Sequence, residues 1–170
     1  MNVKEMIWRG KIFVYPTDTI YGLGCDATNK EAVEKIKRIK IRDSEKPLSV
    51  IAPSFEWIEK NLVVDCDLKN YLPGAYTLVL KKKNLEFLKW VSSGDSLGVR
   101  IPRNRFTSEI QKSEVPFITT SVNIAGEKPA LRVEDIGKRI LNEADIIIEA
   151  DEELSGKPSV LVIGGQEIVR

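Results

Sequence analysis

The sequence predicts an α/β fold in one domain spanning residues 1–170. Three observations predict it. Short β-branched runs alternate with segments of helical periodicity, Pro and Gly sit singly at the ends of those segments, and no repeat or linker divides the chain. Residues 11–15, rich in Ile, Phe, Val and Tyr, read as a strand whose ladder Pro16 stops. The segment 30–39 reads as a helix, because Ala32, Val33, Ile36 and Ile39 form one apolar stripe and Thr28 with Glu31 matches a capping box. Its other face is strongly basic. Strands follow at 48–52, 76–81, 97–101, 117–121, 145–149 and 159–163, and helices at 55–62, 85–91, 106–111 and 133–142.

Composition excludes several chemistries. The 42% hydrophobic and 30% charged residues are ordinary for a soluble globular chain, and no apolar run approaches the roughly 18 residues of a membrane helix. Residues 1–11 mix charged with apolar side chains and lack the continuous hydrophobic stretch of a secretory signal, so a cytoplasmic protein with no membrane partner is expected. Cys25 and Cys66 stand far apart and support neither a disulfide framework nor a zinc site. No histidine is present, which removes the commonest general base and the Ser-His-Asp and Cys-His nucleophile systems. A net charge of +1 argues against a surface that wraps nucleic acid on every side, so basic sites must be local.

Four strand ends carry polar equipment. Tyr15-Pro-Thr-Asp-Thr-Ile-Tyr-Gly-Leu-Gly24 presents hydroxyls and backbone amides after the first strand. Lys40, Arg42 and Lys46 follow the basic helix, where they either complement its dipole or hold polyphosphate. Arg100 sits between apolar neighbours and needs an anionic partner, an Asp or a substrate. Thr119 to Asn123 adds donors and acceptors suited to a small polar ligand. In open α/β sheets ligands bind beyond strand ends, so these segments are expected to converge. The stretch Ser155-Gly-Lys-Pro-Ser159 is no P-loop, since Asp151 stands where Gly is required and Pro158 separates Lys157 from Ser159.

Together these segments resemble the YrdC-domain family of threonylcarbamoyl-adenylate synthases. The resemblance rests on Tyr15 to Gly24, Lys40-Ile-Arg42, Lys46-Pro-Leu-Ser49, Pro73-Gly-Ala-Tyr-Thr77, Val99-Arg-Ile-Pro102, Ser121-Val-Asn123, Gly156-Lys-Pro-Ser159 and Ile168-Val-Arg170. It implies a twisted open sheet of mixed strand directions flanked by helices, with a basic concave face accepting ATP and RNA. It implies L-threonine binding by Thr19, Arg100, Ser121 and Ser159, and ATP binding by Arg42, Lys46, Ser96, Asn123 and Arg170. Lys40 and Arg42 are the implied catalytic cations, working with Mg²⁺. The implied reaction joins L-threonine, bicarbonate and ATP into threonylcarbamoyl-AMP and pyrophosphate for tRNA modification. Direct binding of tRNA or double-stranded RNA, and a downstream threonylcarbamoyl transferase, belong to the same expectation. Ala75 departs from the family's second proline, Glu127 to Leu131 lacks its Ser/Thr-rich continuation, and many relatives extend beyond the position of Arg170. The alternatives are a non-catalytic RNA-binding relative and an enzyme that forms a carbamoyl-adenylate from carbamoyl phosphate.

Overall fold

The structure, a computed structural model, describes residues 2–41, 43, 45–124 and 126–170. Helix α1 (Val3–Trp8) precedes the hairpin of β1 (Phe13–Pro16) and β2 (Tyr21–Gly24). Helix α2 (Lys30–Ile39), strand β3 (Ser49–Ile51), helix α3 (Phe55–Asn61) and strands β4 (Leu62–Val63), β5 (Tyr76–Lys82) and β6 (Ser96–Arg100) come next. Helix α4 (Arg105–Ser113), strand β7 (Phe117–Ser121), helix α5 (Lys138–Glu143) and strands β8 (Ile146–Ile147), β9 (Val160–Ile163) and β10 (Gln166–Ile168) complete the described elements. The strands join one open mixed sheet in the order β10-β9-β5-β6-β3-β7-β2-β1-β8, with β4 beside β5. The pairs β1·β8, β3·β6 and β5·β9 are parallel.

Helix α2 and strand β7 have the expected bounds, and four expectations change. Asn29, not Thr28, caps α2 by accepting the Ala32 amide at 3.1 Å, because the Thr28 hydroxyl and amide are both committed to Asp26. The ladder ends with Pro16 and not before it: Pro16 is the last residue of β1, opposite Tyr21, and residues 17–20 turn the chain back into β2. Residues 85–91 form no helix, since Leu88 has φ of 48°, outside the α-helical region. The segment 133–142 splits at Gly137 into the 3-10 turn Val133–Asp135 and α5.

Alternation along each strand, locked by the registers, divides the sheet into two faces. One face presents Val14, Leu23, Val50, Leu78, Leu97 and Val99 to Val33 and Ile36 of α2, Ile58 of α3 and Ile140 of α5, all buried. The other presents Phe13, Tyr15, Ile51 and Phe117 at one corner, where Ile7 of α1 and Phe106 and Ile110 of α4 close over them. Beyond that corner the same face carries Gly22, Ser49, Thr77, Gly98, Arg100, Thr119 and Ser121. Burying a large apolar side chain gains about 1.5–3 kcal/mol, and a floor of Gly, Ser and Thr offers a covering helix almost none of that. This part of the face stays open, and the site lies there.

Candidate active site

The hairpin turn supplies the first wall. The Thr17 hydroxyl accepts the amides of Thr19 at 3.1 Å and Ile20 at 3.2 Å and donates to the Ile20 carbonyl at 2.7 Å. Its proton being committed, the Thr19 hydroxyl 2.9 Å away is the donor of that pair. Arg100 Nη1 lies 3.4 Å from the same Thr19 oxygen. The turn can sit this close to the sheet because Gly22 and Gly24 have no side chain. A Cβ on Gly22 would stand 2.8 Å from Tyr15 Cζ, and one on Gly24 would run into the Ile118 carbonyl and the Phe117 ring.

Between the two threonines, Asp18 aims at the last residue of β6. Its Oδ1 accepts from Arg100 Nη2 at 2.6 Å and its Oδ2 accepts the Arg103 amide at 2.9 Å. Burial pulls the Arg100 pKa down and the adjacent Asp18 carboxylate opposes that shift, so the guanidinium keeps its charge in a nearly dry position. Arg100 Nε has no protein partner among the described residues.

The opposite wall comes from β5, the residue just before β9 and the chain after β10. Thr77 Oγ1 and Ser159 Oγ are 2.7 Å apart, and Arg170 forks onto Ser159, with Nε and Nη2 on its carbonyl at 3.1 and 3.0 Å and Nη2 on its hydroxyl at 2.7 Å. Lys40, fully enclosed behind β7, donates to the Ser121 carbonyl at 2.6 Å and lies 3.4 Å from the Ser121 hydroxyl. The hydroxyls of Thr19, Ser121 and Ser159 are thus each approached by a cation.

Thr19, Arg100, Ser121, Ser159 and Arg170 line one cavity of about 330 Å³, together with Thr17, Ser49, Thr77 and Pro47. Lys40 touches that cavity through Ser121. Exposed Lys46 precedes the lining residues Pro47 and Leu48 at the rim. Half-buried Asn123 lies just beyond Ser121, its amide nitrogen on the Glu127 carbonyl at 2.6 Å and its Oδ1 enclosed without a protein partner among the described residues. Ser96 is outside the cavity, at the other end of β6 and about 13 Å along the strand from Arg100. Arg42 lies outside the described residues. Thr17, Asp18, Ser49 and Thr77 stand inside motifs legible in the sequence but were given no individual site role there; the last two were signalled by polar residues interrupting otherwise apolar strands.

Among the described residues no group of His, Cys, Asp and Glu converges as a metal-binding cluster, and no helix is long and apolar enough to cross a membrane. The model of the Sua5/YciO/YrdC family, described as telomere recombination, matches residues 5–170. The chain belongs to that family. A Methanocaldococcus jannaschii relative named putative threonylcarbamoyl-AMP synthase is 36% identical over 164 residues, covering 94% of this chain and 77% of the relative. A Pyrococcus abyssi threonylcarbamoyl-AMP synthase is 31% identical over 182 residues, covering 95% of this chain and 53% of its own length. The crystal structure of P. abyssi Sua5 complexed with L-threonine superposes with a TM-score of 0.83 at 28% identity, over 94% of this chain and 49% of that one. The chain therefore spans about half the length of the P. abyssi relative. The family match and the superposition agree with the mixed open sheet, and among the described residues every motif that carried the resemblance except Lys40-Ile-Arg42 supplies at least one residue to the cavity lining.

Proposed function

We propose that this chain is a threonylcarbamoyl-AMP synthase, residues 1–170 forming one YrdC-like catalytic unit that acts in threonylcarbamoyl modification of tRNA adenosine. The observation that carries the reading is the convergence of Thr19, Arg100, Ser121 and Ser159, from four separate parts of the sequence, on one small polar cavity. Arg100 takes the threonine carboxylate; Asp18 holds one end of the guanidinium, and donors remain for a second carboxylate. The hydroxyls of Thr19, Ser121 and Ser159 hydrogen-bond the remaining polar atoms, and an analogue lacking the threonine hydroxyl leaves enclosed polar groups unpaired and binds less well.

The threonine nitrogen attacks the carbon of bicarbonate, water leaves, and the carbamate that results attacks the α-phosphorus of ATP through oxygen. The bond from that phosphorus to the β-phosphate bridging oxygen breaks, and pyrophosphate departs. No protein nucleophile is required, which suits a chain without histidine. Catalysis comes from positioning and from the cations Lys40, Arg42 and Arg170, with Lys46 at the rim. Asn123 and Ser96 reach the nucleotide farther from the threonine cavity. Mg²⁺ has no acidic cage among the described residues and would be held mainly by the ATP phosphates, where it neutralises charge. The cations around the opening also suit direct contact with tRNA or double-stranded RNA, and a cytoplasmic threonylcarbamoyl transferase is the expected consumer of the product.

The test is to incubate the chain with ATP and Mg²⁺, with and without L-threonine and bicarbonate, measuring pyrophosphate and the adenylate by mass. Production that depends on both co-substrates is expected. Intact ATP and threonine binding with neither product formed would overturn the synthase reading, and carbamoyl phosphate would then be tried as donor.

A further inference from the structure

Two lysines outside the cavity are buried, and both end on the same short loop. Lys37 of α2 and Lys82 at the end of β5 are each only 6% exposed. Lysines are seldom enclosed to this degree, because removing an ammonium from water is costly unless it gains a specific partner. Lys37 Nζ donates to the Trp90 carbonyl at 2.6 Å, and Lys82 Nζ donates to the Ser92 carbonyl. The carbonyl between them, Val91, accepts the Leu48 amide at 2.9 Å. Three consecutive carbonyls are therefore gripped by three separate parts of the chain. The Trp90 indole adds a bond to the Ala27 carbonyl at 2.8 Å, and the Ser93 hydroxyl lies 3.4 Å from Glu45 Oε2.

What this loop holds is the far end of the segment 40–48, which carries Lys40, Arg42 and Lys46. Its near end is pinned by Lys40 on Ser121, its far end by Leu48 on Val91, and Pro47 and Leu48 line the cavity. We infer that Lys37 and Lys82 are positioning residues for the nucleotide: by gripping the carbonyls on either side of Val91 they fix the loop on which Leu48 hangs, and with it the Lys46 and Pro47 rim. The inference rests on the reading above that Lys46 and its neighbours face ATP. Of the threonine wall, Thr19, Arg100, Thr77 and Ser159 touch this loop through no bond described above, and Ser121 meets the segment only at its near end, through Lys40.

The experiment measures binding of a non-hydrolysable ATP analogue and of L-threonine, separately and by calorimetry, for the wild-type chain and for Lys82→Met, Lys82→Arg and Lys37→Met. Lys82→Met should weaken the analogue about tenfold, with threonine affinity changed by less than about twofold and Lys82→Arg restoring most of the loss. Lys37→Met acts on the neighbouring carbonyl and carries the same expectation should Lys82→Met not fold. Unchanged analogue affinity in the folded variants overturns the inference, as does a parallel loss of threonine binding, which would mark general destabilisation. Adenylate formation by the wild-type chain is scored separately, so failure of the proposed reaction is distinguishable from failure of the clamp.

Discussion

Removing the Asp18 carboxylate should both destabilise the fold and weaken threonine binding, and the two effects have different sizes. Asp18 meets Arg100 Nη2 at 2.6 Å and the Arg103 amide at 2.9 Å, and the paired side chains retain only 6% (Arg100) and 14% (Asp18) of their accessible surface. The value of an exposed pair, at most about 1 kcal/mol, therefore does not apply. Asp18→Ala leaves an enclosed guanidinium without its counter-charge, a change that costs about 3–5 kcal/mol. Asp18→Asn keeps one carbonyl acceptor and loses the charge, so about 2 kcal/mol is expected from weakening two charge-assisted bonds. Arg100 then loses the contact that aims it, and threonine affinity should fall at least about tenfold, or 1.4 kcal/mol, in either variant. Urea unfolding measures the first effect and calorimetric titration with L-threonine the second. Stability within about 1 kcal/mol of wild type in both variants, or unchanged threonine affinity, would refute the argument that Asp18 holds Arg100 in place.

Gly24→Ala should lower stability by about 3 kcal/mol, because the new methyl meets the Ile118 carbonyl of a paired strand, which cannot yield as a side chain can; a loss under about 1 kcal/mol in urea unfolding would contradict the packing. Thr19→Val, nearly isosteric, should raise the threonine KM about tenfold while leaving the ATP KM near wild type, and equal changes in both would remove Thr19 from the threonine side. Burial, aided by the neighbouring Asp26, pushes the Cys25 thiol pKa well above its ordinary value. The unfolded chain loses that proton first, so stability present at neutral pH should decline above about pH 9 with a slope of up to 1.4 kcal/mol per pH unit from this group. Cys25→Ala should remove that part of the slope in denaturation curves taken from pH 8 to 10, and an unchanged slope would assign the decline to other groups.

Helix α2 was legible residue by residue because its apolar positions repeat at the spacing of one buried face, and strand β7 because Phe117–Ser121 is a short run of apolar and β-branched residues. The residues of the cavity were likewise legible as motifs, since Thr19, Arg100, Ser121 and Ser159 stand at strand ends and turns where polar side chains have no core role. Strand β2 was hidden, because Tyr21-Gly-Leu-Gly24 has a turn's composition; the glycines serve close approach to Tyr15, Phe117 and β7, a need that exists only once the strands are side by side. Residues 85–91 have helical spacing, yet their loop turns at Leu88 and offers the carbonyls that follow to Lys37, Leu48 and Lys82. Which acid would hold Arg100 was open for the same reason. Local periodicity and motif chemistry are properties of neighbouring residues and can be read along the chain, whereas the partner of a buried charge or carbonyl is chosen among residues tens of positions away. Asp18 and Arg100, 82 residues apart, become a pair only when the hairpin turn folds across the end of β6.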